Sequence, residues 1–142
     1  MPSVIVEYHP DTFDDFFTEP LKDFPTLAED IKAEFLMYKS TGELPSIFGR
    51  EVPYVEPFAA YRAQLMHIHL KLPPETFPEK LPQHDRTCNS RRDAALVYVR
   101  GELEENRYCL FGVLYPHAHA KARDEKMMRY LARLAQAFRD TH

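Results

Sequence analysis

An α+β fold, with helices packed against an antiparallel sheet in one compact domain spanning residues 1–142, is predicted by three features of this 142-residue sequence. Short runs of β-branched and aromatic residues recur at Val4–Tyr8, within Phe58–Leu72, at Ala95–Val99 and at Tyr108–Leu114. Apolar residues at helical spacing mark Leu27 to Tyr38 and the C-terminal stretch beyond Ala120. No internal repeat is evident, and the order strand, two helices, strand, hairpin and long helix fits helices packed against an antiparallel sheet.

Val4–Tyr8 reads as the first strand, stopped by His9-Pro10. Asp11 or Thr12 then caps a short helix carrying Phe13, Phe16 and Phe17, which Pro20 ends. Pro25-Thr26 opens a second helix with Leu27, Ile31, Phe35 and Tyr38 on one face, running to about Ser40 and stopped at Thr41-Gly42. Glu43 to Pro57 reads as a loop pinned by Ile47 and Phe48, with Gly49 permitting a tight turn beside Arg50. Phe58–Leu72 is a strand-rich region with an irregular beginning, and Pro73 to Pro82 is a loop because each proline removes a main-chain donor. After the polar stretch Cys88 to Asp93, Ala95–Val99 and Tyr108–Leu114 form an antiparallel hairpin turned at Gly101–Asn106. Pro116 ends it, and a final helix from near Ala120 packs on Ala122, Met127, Leu131, Leu134, Ala137 and Phe138.

Charge is unevenly distributed. The chain carries a formal net charge of -4, but its first 35 residues hold nine acids against two bases, leaving a net positive remainder. A general polyanion-binding surface is not expected, whereas a local basic face beside an acidic flank over residues 1–33 is. Two cysteines, Cys88 and Cys109, make no disulfide framework and no Cys-x-x-Cys pair. No apolar run is long enough to span a bilayer, and the start lacks a secretory pattern, so a reduced, cytoplasmic setting without membrane contact is expected.

The best chemistry-bearing geometry is Met66-His67-Ile68-His69-Leu70, which puts two imidazoles on one face of a strand and Ile68 on the other. If Ile68 covers a core, His67 and His69 look out from the opposite face, suited to acid–base chemistry or phosphate binding, or forming a surface pair without a task. His119, ahead of or within the first turn of the last helix, and Arg123, four residues on, share a helical face and join this pair if sheet and helix edge form one cleft. In metal-free ribonuclease chemistry, His67 or His69 supplies one proton-transfer role and His119 another, while Arg86 and Arg123, permanently charged, clamp the phosphate. Arg50, Arg62, Arg91, Arg92, Arg129 and Arg133 are read either as RNA contacts or as solvated loop and helix charges. Metal chelation by His67, His69, His117 and His119 competes, but His117-Ala118-His119 is no metalloprotease motif and no neighbouring acid completes a ligand spacing; no metal and no cofactor are expected.

These motifs also carry a family likeness. Phe35–Arg50, His67–Leu70, Arg86-Thr87, Leu96-Val97-Tyr98, Pro116 through Asp124 and Ala137-Phe138-Arg139, together covering most of Glu34 to Arg139, resemble in order the YafO toxins, mRNA interferases of bacterial type II toxin–antitoxin systems. The resemblance implies a compact RelE-like domain with two N-terminal helices and a C-terminal helix. It implies a ribosome-dependent endoribonuclease that cuts translated mRNA in the ribosomal A site and is neutralised by a cognate antitoxin. Carried over by position, it directs attention to His67, His69, Arg86, Thr87, His119 and Arg123. The three histidines are expected to be catalytic, and Arg86, Thr87, Arg123 and Arg50 to contact RNA or phosphate. Tyr98 stays open between a buried strand aromatic and an RNA-stacking group. A non-catalytic ribosome- or antitoxin-binding protein that blocks translation without cutting mRNA is the alternative.

Overall fold

The computed structural model describes residues 3–87 and 92–142. Cys88 and Arg91 lie outside the described residues. Five strands form one sheet in the order β1-β5-β4-β3-β2, where β1 is Ile5–Tyr8, β2 Phe48–Pro53, β3 Met66–Leu70, β4 Ala94–Arg100 and β5 Arg107–Leu114. The sheet is mixed rather than wholly antiparallel, because β1 lies parallel to β5 while the other three pairings are antiparallel. Among the described residues four α-helices accompany it: α1 (Leu27–Thr41), α2 (Phe58–Arg62), α3 (Ala118–Lys121) and α4 (Glu125–Thr141).

Alternation along the central strands builds two cores, one on each face of the sheet. Ile68, Leu70, Leu96, Tyr98 and Leu110 pack with Phe17, Leu27, Ile31 and Phe35, so α1 and the N-terminal segment cover one face. Ala95, Val97, Val99 and Phe111 pack with Ala60, Ala118, Met128, Leu131 and Ala135, so α2, α3 and α4 cover the other. A sheet clothed on both sides explains why β4 and β5 are almost continuously apolar rather than alternating.

Several elements differ from the sequence reading. The first helix is one π-helical turn, Asp14–Thr18, and Thr12 does not cap it; its hydroxyl donates instead to the carbonyl of Phe111 at 2.7 Å, tying the turn to β5. α1 ends as expected, with Gly42 in the left-handed region at φ 79°. The supposed loop Glu43–Pro57 contains β2, where Gly49 serves a close approach and not a turn: a Cβ there would lie 2.4 Å from the carbonyl oxygen of Arg86. Phe58–Arg62 is helical, and only Met66–Leu70 is strand. The final helix is broken in two, because Asp124 takes an extended conformation and its carboxylate accepts the main-chain N–H of Met127 at 3.1 Å, starting α4 afresh.

Candidate active site on the inner face of the central strand

His67 and His69 point to the same face of β3, as alternation requires, but that face is not open. α2 to α4 cover it, leaving His69 only 6% exposed and His67 half-buried. The expectation of two outward-looking imidazoles is therefore corrected, since Ile68 also faces a core, the one under α1. What the two histidines meet there is a third imidazole, at the edge of a small, mostly apolar crevice. The His67 and His69 ring centroids are 5.4 Å apart, and His69 and His119 are 5.5 Å apart. Tyr54 stacks on His67 at 4.0 Å. Tyr54, His67, His69, Ala95, Ala118, His119 and Ala122 line a narrow crevice of about 30 Å³.

The residue that organises the crevice is Asp93, which sequence reasoning missed. In the β3/β4 register His69 stands opposite Ala95 and His67 opposite Val97, so Asp93, two residues ahead of Ala95, shares their face of the sheet. It is 2% exposed, yet its carboxylate reaches the half-exposed His119, accepting both the main-chain N–H at 3.0 Å and a short hydrogen bond with Nδ1. Its own carbonyl accepts the N–H of Ala118 at 3.2 Å, so one acid fixes both the start of α3 and the His119 ring. The one sequence signal was an acid immediately ahead of the apolar run Ala94–Val99.

Burial dominates the electrostatics. It pushes the His67 imidazole down to about 3, with the neighbouring charges of His69, His119 and Arg50 acting the same way and a hydrogen bond with the Val52 main chain opposing them. His69 is also lowered, first by burial, but Asp93 pulls it back up. The Arg50 charge acts on both rings in the lowering direction. Arg50 is exposed and lies in the β2 irregularity between Phe48 and Glu51, while Glu51 points to the α1 face.

The remaining sequence candidates divide. Arg86 is 3% exposed and its guanidinium donates to five main-chain carbonyls, those of Leu81, Pro45, Phe48, Pro78 and Glu79. Every donor that would clamp a phosphate is thus committed to holding the proline-rich loop against β2. Thr87 is exposed next to it, on the outer edge of β2, where the N–H of Arg50 donates to the carbonyl of Arg86 at 2.9 Å. Tyr98 is 2% exposed on the opposite face of the sheet, stacked edge-on against Phe35 and hydrogen-bonded to Glu51, and so is the buried strand aromatic rather than a stacking platform. Arg123 falls in the break between α3 and α4 instead of one turn along a shared helix, in a hollow of about 530 Å³ with Phe58 and Arg129; Ala122 lines both this hollow and the histidine crevice.

His69, Asp93 and His119 also bring three ligand atoms within 4.8 Å of one another. Sequence spacing offered no acid for such a set; the fold supplies one. Chemically, the cluster can relay protons through a fixed histidine–carboxylate pair or chelate a cation.

A mixed α+β sheet protein carrying a histidine–aspartate pair beside a second buried imidazole and an arginine belongs to a class suited to proton transfer at an anionic substrate. The sequence places it more narrowly. A family described as "Toxin YafO, type II toxin-antitoxin system" matches residues 36–140, and the chain belongs to that family. It is 37% identical over 112 residues to the mRNA interferase toxin YafO of Escherichia coli (strain K12), covering 77% of this chain and 83% of that protein. No solved structure matches.

Proposed function

We propose that this chain is a ribosome-dependent endoribonuclease that cuts translated mRNA by metal-independent acid–base chemistry and is held in check by a cognate antitoxin. Membership of a toxin family and the name of the E. coli relative support the reaction class. The observation that carries the mechanism is the Asp93–His119 pair beside His69.

With Nδ1 engaged by Asp93, Nε2 is the ring nitrogen of His119 left for substrate, and the carboxylate stabilises the imidazolium formed when it accepts a proton. His119 takes the proton of a ribose 2′-hydroxyl as that oxygen attacks the adjacent phosphorus. The P–O5′ bond breaks, and the departing oxygen takes a proton from the second proton-transfer group, which we assign to His69. His67, held near 3, is neutral throughout the physiological range and orients rather than carries a proton. Arg50 supplies the positive charge for the crowded phosphate, and Arg123 a more distant contact along the strand of RNA.

The small crevice and the acidic first 35 residues argue against capture of free RNA, which supports presentation of the substrate by the ribosome in the A site, in the cytoplasm. The test is mRNA cleavage with and without purified ribosomes. Asp93→Asn and His119→Ala are expected to lose roughly 100-fold or more in single-turnover rate. Unchanged cutting in both would overturn the assignment. Translation arrest without mRNA fragments would favour a non-catalytic ribosome- or antitoxin-binding protein.

A further inference from the structure

We propose that His69, Asp93 and His119 form a binding site for a borderline divalent transition-metal ion of the zinc class, and that the bound ion switches the proton-transfer chemistry off. The site itself rests on geometry; only the inhibitory consequence rests on the reading above.

Two imidazoles and a carboxylate are a ligand set that zinc-class ions accept, and hard ions such as magnesium prefer oxygen. Here their donor atoms already lie within 4.8 Å of one another. Two of the three carry a buried atom with no hydrogen-bond partner, Nδ1 of His69 and Oδ1 of Asp93, on side chains more than nine-tenths buried. The other carboxylate oxygen of Asp93 accepts the main-chain N–H of His119, so the acid keeps its orientation while Oδ1 is free to coordinate. His119 is the half-exposed member and gives an ion its entry path. Tetrahedral zinc bonds of about 2.0–2.2 Å need donors roughly 3.4 Å apart, so the cluster tightens on loading, and His119 is the side chain with room to turn. His67 is not one of the three; its ring stacks on Tyr54 instead. The nearby charge of Arg50 opposes any cation and keeps the site weaker than a structural zinc centre.

Whichever nitrogen of His119 coordinates, the base is lost. An ion on Nε2 occupies the lone pair that would take the ribose proton. An ion on Nδ1 displaces the hydrogen bond with Asp93 and leaves the ring proton on Nε2. Metal and proton therefore compete for one set of electron pairs, and the ion-free protein is the active form.

Two measurements on the whole chain separate the parts of this proposal. Titration with Zn²⁺ by calorimetry, and with Co²⁺ by its visible absorption bands, should give one site per chain. Affinity at that site should fall in His69→Gln, Asp93→Asn and His119→Gln by more than the roughly 10- to 100-fold that loss of an outer ligand partner costs. His119→Gln changes a half-exposed ring, so a loss there does not reflect misfolding, and His84→Asn, at an exposed site away from the cluster, should bind like the parent. Protein preloaded with one equivalent of Zn²⁺ should stop cutting ribosome-bound mRNA and recover with a chelator. Undiminished binding in all three variants overturns the site. A stoichiometric complex that cuts at the ion-free rate overturns the switch. A chain that binds the ion as described but never cuts mRNA leaves the site standing and removes the nuclease reading instead.

Discussion

Arg86 shows how far a side chain's role depends on what surrounds it. A guanidinium in a nucleic-acid-binding context suggests a phosphate clamp, yet here its planar fork meets five carbonyls, two at the start of β2 (Pro45 and Phe48) and three in the proline-rich loop (Pro78, Glu79 and Leu81). Removing it leaves those buried acceptors without a donor, and Arg86→Ala is expected to cost at least about 3 kcal/mol of stability in chemical denaturation. At temperatures where the variant is folded, its cleavage rate per molecule should match the parent, whereas a phosphate-binding arginine would lose rate without losing stability. Arg50 is the converse case. Its local composition reads as a loop, whereas pairing with β3 makes it part of β2, with an exposed side chain whose charge lowers both buried imidazoles.

At the level of elements, the break between α3 and α4 matters most. A continuous helix from Ala120 would carry His119 and Arg123 on one rod; instead Asp124 caps a new helix, and α3 is a four-residue piece whose first amides are held by Asp93. Position of His119 thus depends on β4 rather than on α4. Asp124→Ala should cost about 1 kcal/mol in thermal unfolding, through the lost cap, and leave mRNA cutting within a few-fold of the parent. The same break explains what the sequence could show of these elements and what it could not. β4, β5, the hairpin and the Gly42 stop were legible because each is a local pattern of apolar residues and turn formers. β2 was not, because Phe48–Pro53 includes a glycine, two charges and a proline, and its strand character comes from pairing with β3. Asp93 escaped notice for a related reason: only the cross-strand register, a tertiary fact, puts it beside His69.

Over the whole molecule, two buried titratable networks on opposite faces of one sheet set the response to acid. Glu51, on the α1 face, is pushed up by burial, but hydrogen bonds and charge from Lys39, Tyr98 and Tyr38 outweigh this and hold it below its ordinary range. Its contribution is present above the unfolded value near 4.5 and is lost as pH falls below that. His67 acts earlier. Its unfolded value is 6.5 and its folded value about 3, so between these the unfolded chain binds a proton that the folded one refuses. Stability therefore falls as pH drops below 6.5, by up to about 1.4 kcal/mol per unit for this ring, and His69 adds a contribution of the same sign. Denaturation midpoints followed from pH 7 to pH 5 should decline in the parent and flatten in His67→Phe, which keeps an aromatic ring against Tyr54. An unchanged slope in that variant would show that the ring is solvated.

The partner of β1 is β5, which begins about a hundred residues later, and the histidine–aspartate cluster takes His69 from the middle of the chain and His119 from its last quarter. A nascent polypeptide therefore cannot close its sheet until β5 has been made, nor bring His69, Asp93 and His119 together until α3 has followed. Products that stop ahead of β5 leave β1 without its partner strand and lack His119 altogether.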